Sequence, residues 1–119
     1  MNRLLILGLF IICMILINCT SHTNFAKGKA IYINKCQSCH MEDGSGLGTY
    51  IPTLIKPAMD YSLQICTISR GRGSNNLVMP AFSLSEVEFA NLINYLNEKF
   101  GNKKVYLPKD IDKLIKICP

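Results

Sequence analysis

Two thiols and an imidazole stand close enough in this chain to act on one group, in the run Cys36-Gln37-Ser38-Cys39-His40. In a helical turn, residues three apart share a face, so both thiols are presented on one side. Thiols so placed can each join a vinyl group of a single porphyrin through a thioether. His40 is then held over the iron as an axial ligand. The run has the C-x-x-C-H form that attaches a c-type haem. Reactivity would belong to the cofactor, with the chain supplying attachment, orientation and tuning. Two other uses of these residue types are weaker. A thioredoxin-like dithiol needs a βαβ setting, and no strand-like run flanks the motif. A zinc site would take Cys36, Cys39 and His40 but lacks a convincing fourth ligand, since His22, near a flexible end, is the only other histidine.

Iron bound by one histidine needs a sixth partner or leaves that position open for chemistry. Besides the initiator, the chain has Met14, Met41, Met59 and Met79. Met14 falls in the apolar leader, and Met41 is adjacent to His40 and cannot cross to the other ring face. Met59 and Met79 remain. Met79 is favoured: it is expected in a loop, and Pro80 behind it stiffens the backbone and brings no N–H that needs a partner. An ordinary gap-filling methionine is the other reading. A thioether favours ferrous iron and raises the potential relative to two histidines. With both axial positions filled, electron transfer fits better than oxygenase or peroxidase chemistry. The alternative is a haem enzyme subunit or small-ligand sensor with a displaceable Met79, for which no second histidine or distal arginine constellation speaks.

The elements that must position these residues begin after a leader. Arg3 precedes an apolar run from Leu4 to Ile17, too short for a comfortable membrane span and of signal-peptide length. Leu16-Ile17-Asn18-Cys19 resembles a bacterial lipobox, although Asn18 departs from the usual small residue. Residues 1–18 are therefore read as a lipoprotein-type signal peptide, Cys19 as the lipid-bearing residue and 19–24 as a tether; ordinary cleavage and an uncleaved anchor are the alternatives. The mature chain is expected on the periplasmic side, membrane-anchored through Cys19. Of six cysteines, Cys13 leaves with the leader, Cys19 takes lipid, and Cys36 with Cys39 take haem. Cys66 and Cys118 remain, an even pair in an oxidising compartment, and are expected to be bridged rather than left as buried thiols. Such a bridge would contribute about 4 kcal/mol on chain-entropy grounds, less in practice.

The net charge of +5 includes Arg3, which is lost with the leader. No alternation of basic and aromatic residues suggests nucleic acid, so acidic protein partners are the more natural expectation. Lysines such as Lys27, Lys35, Lys104 and Lys113 either steer such a partner or form a solvated face. The positive mean hydropathy of +0.20 partly reflects the leader. The chain beyond the leader suffices for one domain with a small core, which a buried porphyrin would enlarge.

From Phe25 the pattern turns helical, with Phe25, Ile31 and Tyr32 set against Lys27, Lys29 and Lys35. Gly28 costs this helix about 1 kcal/mol relative to alanine, a cost that makes sense where another helix crosses closely. Asp43 to Gly48 is a glycine-rich turn without the P-loop spacing. Tyr61 to Arg70 reads as a helix ended by Gly71 and Gly73, and Ser74 to Phe82 as loop. Ser85 and Glu88 form a capping box. Phe89, Leu92, Ile93, Leu96 and Phe100 come next at helical spacing until Gly101. A last turn, Lys109 to Ile117, sets Ile111, Leu114 and Ile115 on one face. The domain, residues 25–119, is expected to be all-α.

The order and spacing of the haem motif, Asp43-Gly44-Ser45-Gly46, Pro52-Thr53-Leu54, Met79-Pro80 and a final helix containing Tyr95 resemble a class I monohaem cytochrome c across residues 25–100. The resemblance implies three main helices wrapped around one covalent haem, with a short C-terminal helix added. Helices from the two ends would cross, Gly28 and Tyr32 against Leu92 and Tyr95. The Pro52 carbonyl would accept the His40 ring N–H, orienting the imidazole and raising its ligand strength. It further implies a one-electron carrier, not an enzyme, working between membrane-associated redox proteins: a quinol-oxidising complex, a terminal oxidase or a dehydrogenase. The tail past Gly101, with Cys118 facing Cys66, resembles small bacterial surface cytochromes. The chain has no tryptophan to bond a haem propionate, which leaves Arg70, Arg72 or Tyr61 for that contact. The short loop from Gly71 to Phe82 would leave the haem edge rather exposed.

Overall fold

Asn24 opens the first helix, α1 (Phe25–Lys35), by accepting the Lys27 N–H on its side chain at 3.1 Å. The computed structural model describes residues 23–55, 61–74, 77–101 and 104–119. The expected leader, Cys19, most of the tether and Met59 lie outside them. Then come α2 (Gln37–His40), α3 (Tyr61–Arg70), β1 (Arg72–Ser74), β2 (Leu77–Met79), α4 (Glu86–Phe100) and α5 (Pro108–Lys116). Among the described residues, the regular elements are helices apart from these two short strands.

The crossing of α1 over α4 organises the whole. At Gly28 the helices meet backbone to backbone: a Cβ there would run into the Asn91 carbonyl and lie 2.8 Å from Tyr95 Cβ. One turn on, the Tyr32 ring sits 5.5 Å from Tyr95 and 5.7 Å from Phe100, while Phe25 lies 5.0 Å from Tyr95. The Asn24 N–H donates to Asn91 Oδ1 at 2.6 Å, fixing the register of the two helices. Helix α4 starts at the capping box, where the Ser85 N–H donates to the Glu88 carboxylate (2.9 Å) and the Glu88 N–H to Ser85 Oγ (3.3 Å). Its apolar stripe, Phe89, Leu92, Ile93 and Leu96, is buried together with Ile65, Ile68, Tyr106 and Ile111.

Two differences from the sequence reading stand out. The stretch expected as loop from Ser74 to Phe82 contains strand β2, which pairs antiparallel with β1, Arg72 opposite Met79 and Ser74 opposite Leu77. Leu77-Val78-Met79, apolar and partly β-branched, suits a strand. The final helix begins at Pro108 rather than Lys109, because proline needs no N–H partner at the first helical position. Asp110 accepts the Leu107 N–H at 3.2 Å.

The tail is fixed on α4 by side-chain amides. Asn94 accepts the Tyr106 N–H at 2.7 Å and donates to the Tyr106 carbonyl at 2.9 Å, as a neighbouring strand would. Asn97 donates to the Lys104 carbonyl at 2.7 Å. After α5 the chain reaches Cys118, which is bonded to Cys66 of α3 with Cα atoms 5.3 Å apart.

Candidate functional site

The Cys36–His40 run occupies the corner where α1 ends. The Cys36 N–H still donates to the Tyr32 carbonyl at 2.9 Å, and the Cys36 carbonyl accepts the His40 N–H at 2.9 Å. Both cysteines thus belong to one turn, Cys36 buried and Cys39 exposed. Burial pushes the Cys36 thiol up to about 11, against a partial pull from the Lys35 charge.

His40 is 8% exposed. Burial lowers its imidazole pKa, and the Pro52 carbonyl works in the opposite direction. Its Nδ1 stands 3.3 Å from that carbonyl. With the proton on Nδ1 facing Pro52, Nε2 keeps its lone pair for a metal. Pro52 is itself placed by the loop before it: Thr53 Oγ1 and the Leu54 N–H both donate to the Gly44 carbonyl, at 3.1 and 2.8 Å.

Three features behind His40 escaped the sequence reading. The His40 carbonyl accepts the Gly46 N–H at 3.2 Å. Met41, with φ 65 and ψ 166, occupies backbone space that only glycine enters freely. Its carbonyl is held by the Tyr32 hydroxyl at 2.6 Å and by the Gly44 N–H at 3.3 Å. Burial, with nearby ionisable groups, pushes that hydroxyl up to about 12, so it stays protonated as a donor. A tyrosine on a buried stripe hints at a needed partner; nothing local marks Met41.

Met79 stands apart on the end of β2, half-buried against the core. Its segment is tied to α3: the Ile68 carbonyl accepts the Phe82 N–H at 2.9 Å, and a Cβ at Gly71 would lie 2.7 Å from the Met79 carbonyl. Arg70 and Arg72 are exposed at this end of α3. Among the described residues, no three His, Cys, Asp or Glu side chains gather to hold a metal ion directly, and no helix is long and apolar enough to cross a membrane.

The residues present fit haem c: two thiols share a turn, and a buried imidazole is oriented from behind. In the sequence between His40 and Met79, the apolar side chains of Leu47, Ile55, Leu63 and Val78 are 48% to 71% exposed, apolar surface of the kind that a porphyrin can cover.

A helical domain of this order, closed by α1 and α4 crossing beside a C-x-x-C-H turn, has the cytochrome c fold of class I monohaem proteins. The comparisons with known proteins are specific. The family described as cytochrome c oxidase, cbb3-type, subunit III matches residues 23–96, and the chain belongs to that family. Among solved structures, the c-type cytochrome XoxG from Methylobacterium extorquens AM1 is similar, at 25% identity and a TM-score of 0.52, over 80% of this chain and 67% of that one. No curated protein matches. The chain is accordingly a haem c protein that transfers electrons, not an enzyme.

Proposed function

We propose that the protein is an exported, lipid-anchored carrier of single electrons between membrane-associated redox proteins. Cys36 and Cys39 would hold the haem as thioethers, and His40 Nε2 and Met79 Sδ would ligate its iron. The observation that carries this reading is the buried His40 ring, backed through Nδ1 by the Pro52 carbonyl beside two thiols on one turn. Haem c, when bound, supplies an iron that passes between the ferric and ferrous states. The chain does the rest. Pro52 orients the imidazole and raises its basicity. Met79 contributes a soft thioether that favours the ferrous state. With His40 and Met79 both held to the iron, no position would be left open for substrate, which separates a carrier from an oxygen- or peroxide-handling protein.

Residues 1–18 serve as the export signal, Cys19 bears the lipid, and 19–24 tether the domain 25–119 to the membrane. The partners are redox proteins of that surface: a quinol-oxidising complex, a terminal oxidase or a dehydrogenase. The excess of basic over acidic side chains suits an acidic docking face. Reduced-minus-oxidised spectra with and without CO test the ligation. The mature haem-loaded protein should not bind CO. Its Met79→Ala variant should bind CO when ferrous and should show a lower potential; no change in either overturns the assignment.

A further inference from the structure

We infer that the C-terminal tail, residues 104–119, positions Met79 by holding α3 through the Cys66–Cys118 bridge, an inference that rests on Met79 as the axial ligand. The family match stops at residue 96, so the tail lies beyond what the family accounts for. Its attachment to α4 is firm: Asn94 brackets Tyr106 through both backbone groups, Asn97 holds the Lys104 carbonyl, and Tyr106 and Ile111 are buried. Helix α3 depends on that tail, because α5 is its main helical neighbour and α5 in turn lies on α4. Cys66, midway along α3, is bonded to Cys118 just after α5.

From α3 the constraint reaches Met79 over a short path. The Ile68 carbonyl and the Phe82 N–H close residues 68–82 into a loop based on α3. Gly71, at φ 75, turns the chain where the Met79 carbonyl and the Ala81 nitrogen press against it, leaving no room for a side chain. Arg72 then pairs with Met79 across the hairpin. Met79 therefore moves with the C-terminal end of α3, and α3 is located by the tail. Cys66, Cys118 and Gly71 are positioning residues; none of them touches the iron in this scheme.

Exogenous imidazole binds the ferric protein only when Met79 is off the iron. Its apparent dissociation constant therefore falls as the Met79-off fraction rises. The experiment measures imidazole binding and the ferric methionine–iron charge-transfer band in the mature haem-loaded full chain, for the wild type, Cys66→Ala/Cys118→Ala, Gly71→Ala, Met79→Ala and Asn24→Ala. The double cysteine variant and Gly71→Ala should bind imidazole about tenfold more tightly, with a weakened band and unchanged helix content. Asn24→Ala removes the α1 cap, lowers thermal stability and should leave imidazole affinity at the wild-type value. Wild-type affinity in both positioning variants overturns the inference, as does an equal gain in Asn24→Ala, which would mark the effect as general loosening. Should the double variant yield no folded holoprotein, Gly71→Ala decides alone. A wild type without the band, indistinguishable from Met79→Ala, instead overturns the ligand reading itself and with it this inference.

Discussion

Around His40 the chain is laced to itself over a short span of sequence, whereas Met79 is held by ties that reach across the molecule. Cys36, Tyr32, Gly46 and Pro52 all contact His40 or its neighbour from within twelve positions of it. Met79 hangs from α3, which leans on a helix more than forty residues further along and is bonded to Cys118 at a separation of 52. Local lacing needs only residues 32–52 to fold together. Distant lacing holds only while the tertiary structure does. The histidine side should thus resist substitutions elsewhere, and the methionine side should register them.

The largest effect expected on this contrast is at Gly28, where both sides share a foundation. Gly28→Ala gains about 1 kcal/mol of helix propensity. The new methyl meets the Asn91 carbonyl, which is backbone and cannot step aside. We expect a net loss of about 2–3 kcal/mol, hence a fall in Tm on the order of 10 °C or more in the haem-loaded protein. An unchanged melt would mean that the crossing is not the common support.

A smaller effect, confined to the histidine side, is expected from Tyr32→Phe. It leaves the ring packing but removes the hydroxyl from the Met41 carbonyl, at a cost of about 1 kcal/mol. Met41→Gly should raise Tm, because relief of backbone strain of about 1–3 kcal/mol outweighs the added chain entropy. If the hydroxyl holds a strained backbone in place, Tyr32→Phe should cost less in the Met41→Gly background. Strict additivity in the four melts would show the bond and the strain to be unrelated. Imidazole competition at Met79 should stay at the wild-type value throughout this cycle.

The smallest effect concerns the exposed cap that starts α4. Hydrogen bonds from the Ser85 N–H and hydroxyl hold the Glu88 carboxyl below its ordinary value of 4.5. A carboxyl depressed in the folded state contributes its full stability above that ordinary value and loses it as pH falls through the folded one. Glu88→Gln should therefore lower Tm near neutrality and flatten the decline of Tm below the ordinary value. An identical acid slope in both proteins would remove the cap from the account.

How much of this was legible in the sequence differs by residue. The start of α1 at Phe25, the span of α3 and the Ser85–Glu88 start of α4 follow from caps, stops and period, all of which act over a turn. The haem motif is legible for the same reason, since one porphyrin must meet both thiols from a single turn. The hairpin was not, because Gly71 and Gly73 read as breakers while pairing of Arg72 with Met79 is a tertiary event. Asn91, Asn94 and Asn97 offered an overlooked signal: amides repeating every third residue on a largely buried helix imply backbone groups to be met. Met41 offered none, for its positive φ goes with bonds from the Tyr32 hydroxyl and the Gly44 N–H to its carbonyl and from its own N–H to the Gln37 carbonyl (2.9 Å).

The sequence by itself determined the attachment turn and the helical periods, because each is decided by residue types within about four positions of one another. Only the tertiary structure decided that Asn24 docks on Asn91, that Tyr106 is bracketed by Asn94, and that a tail beyond the matched family segment supports the helix from which Met79 hangs. Those contacts join residues 12 to 67 positions apart, and no local preference specifies which distant amide will arrive.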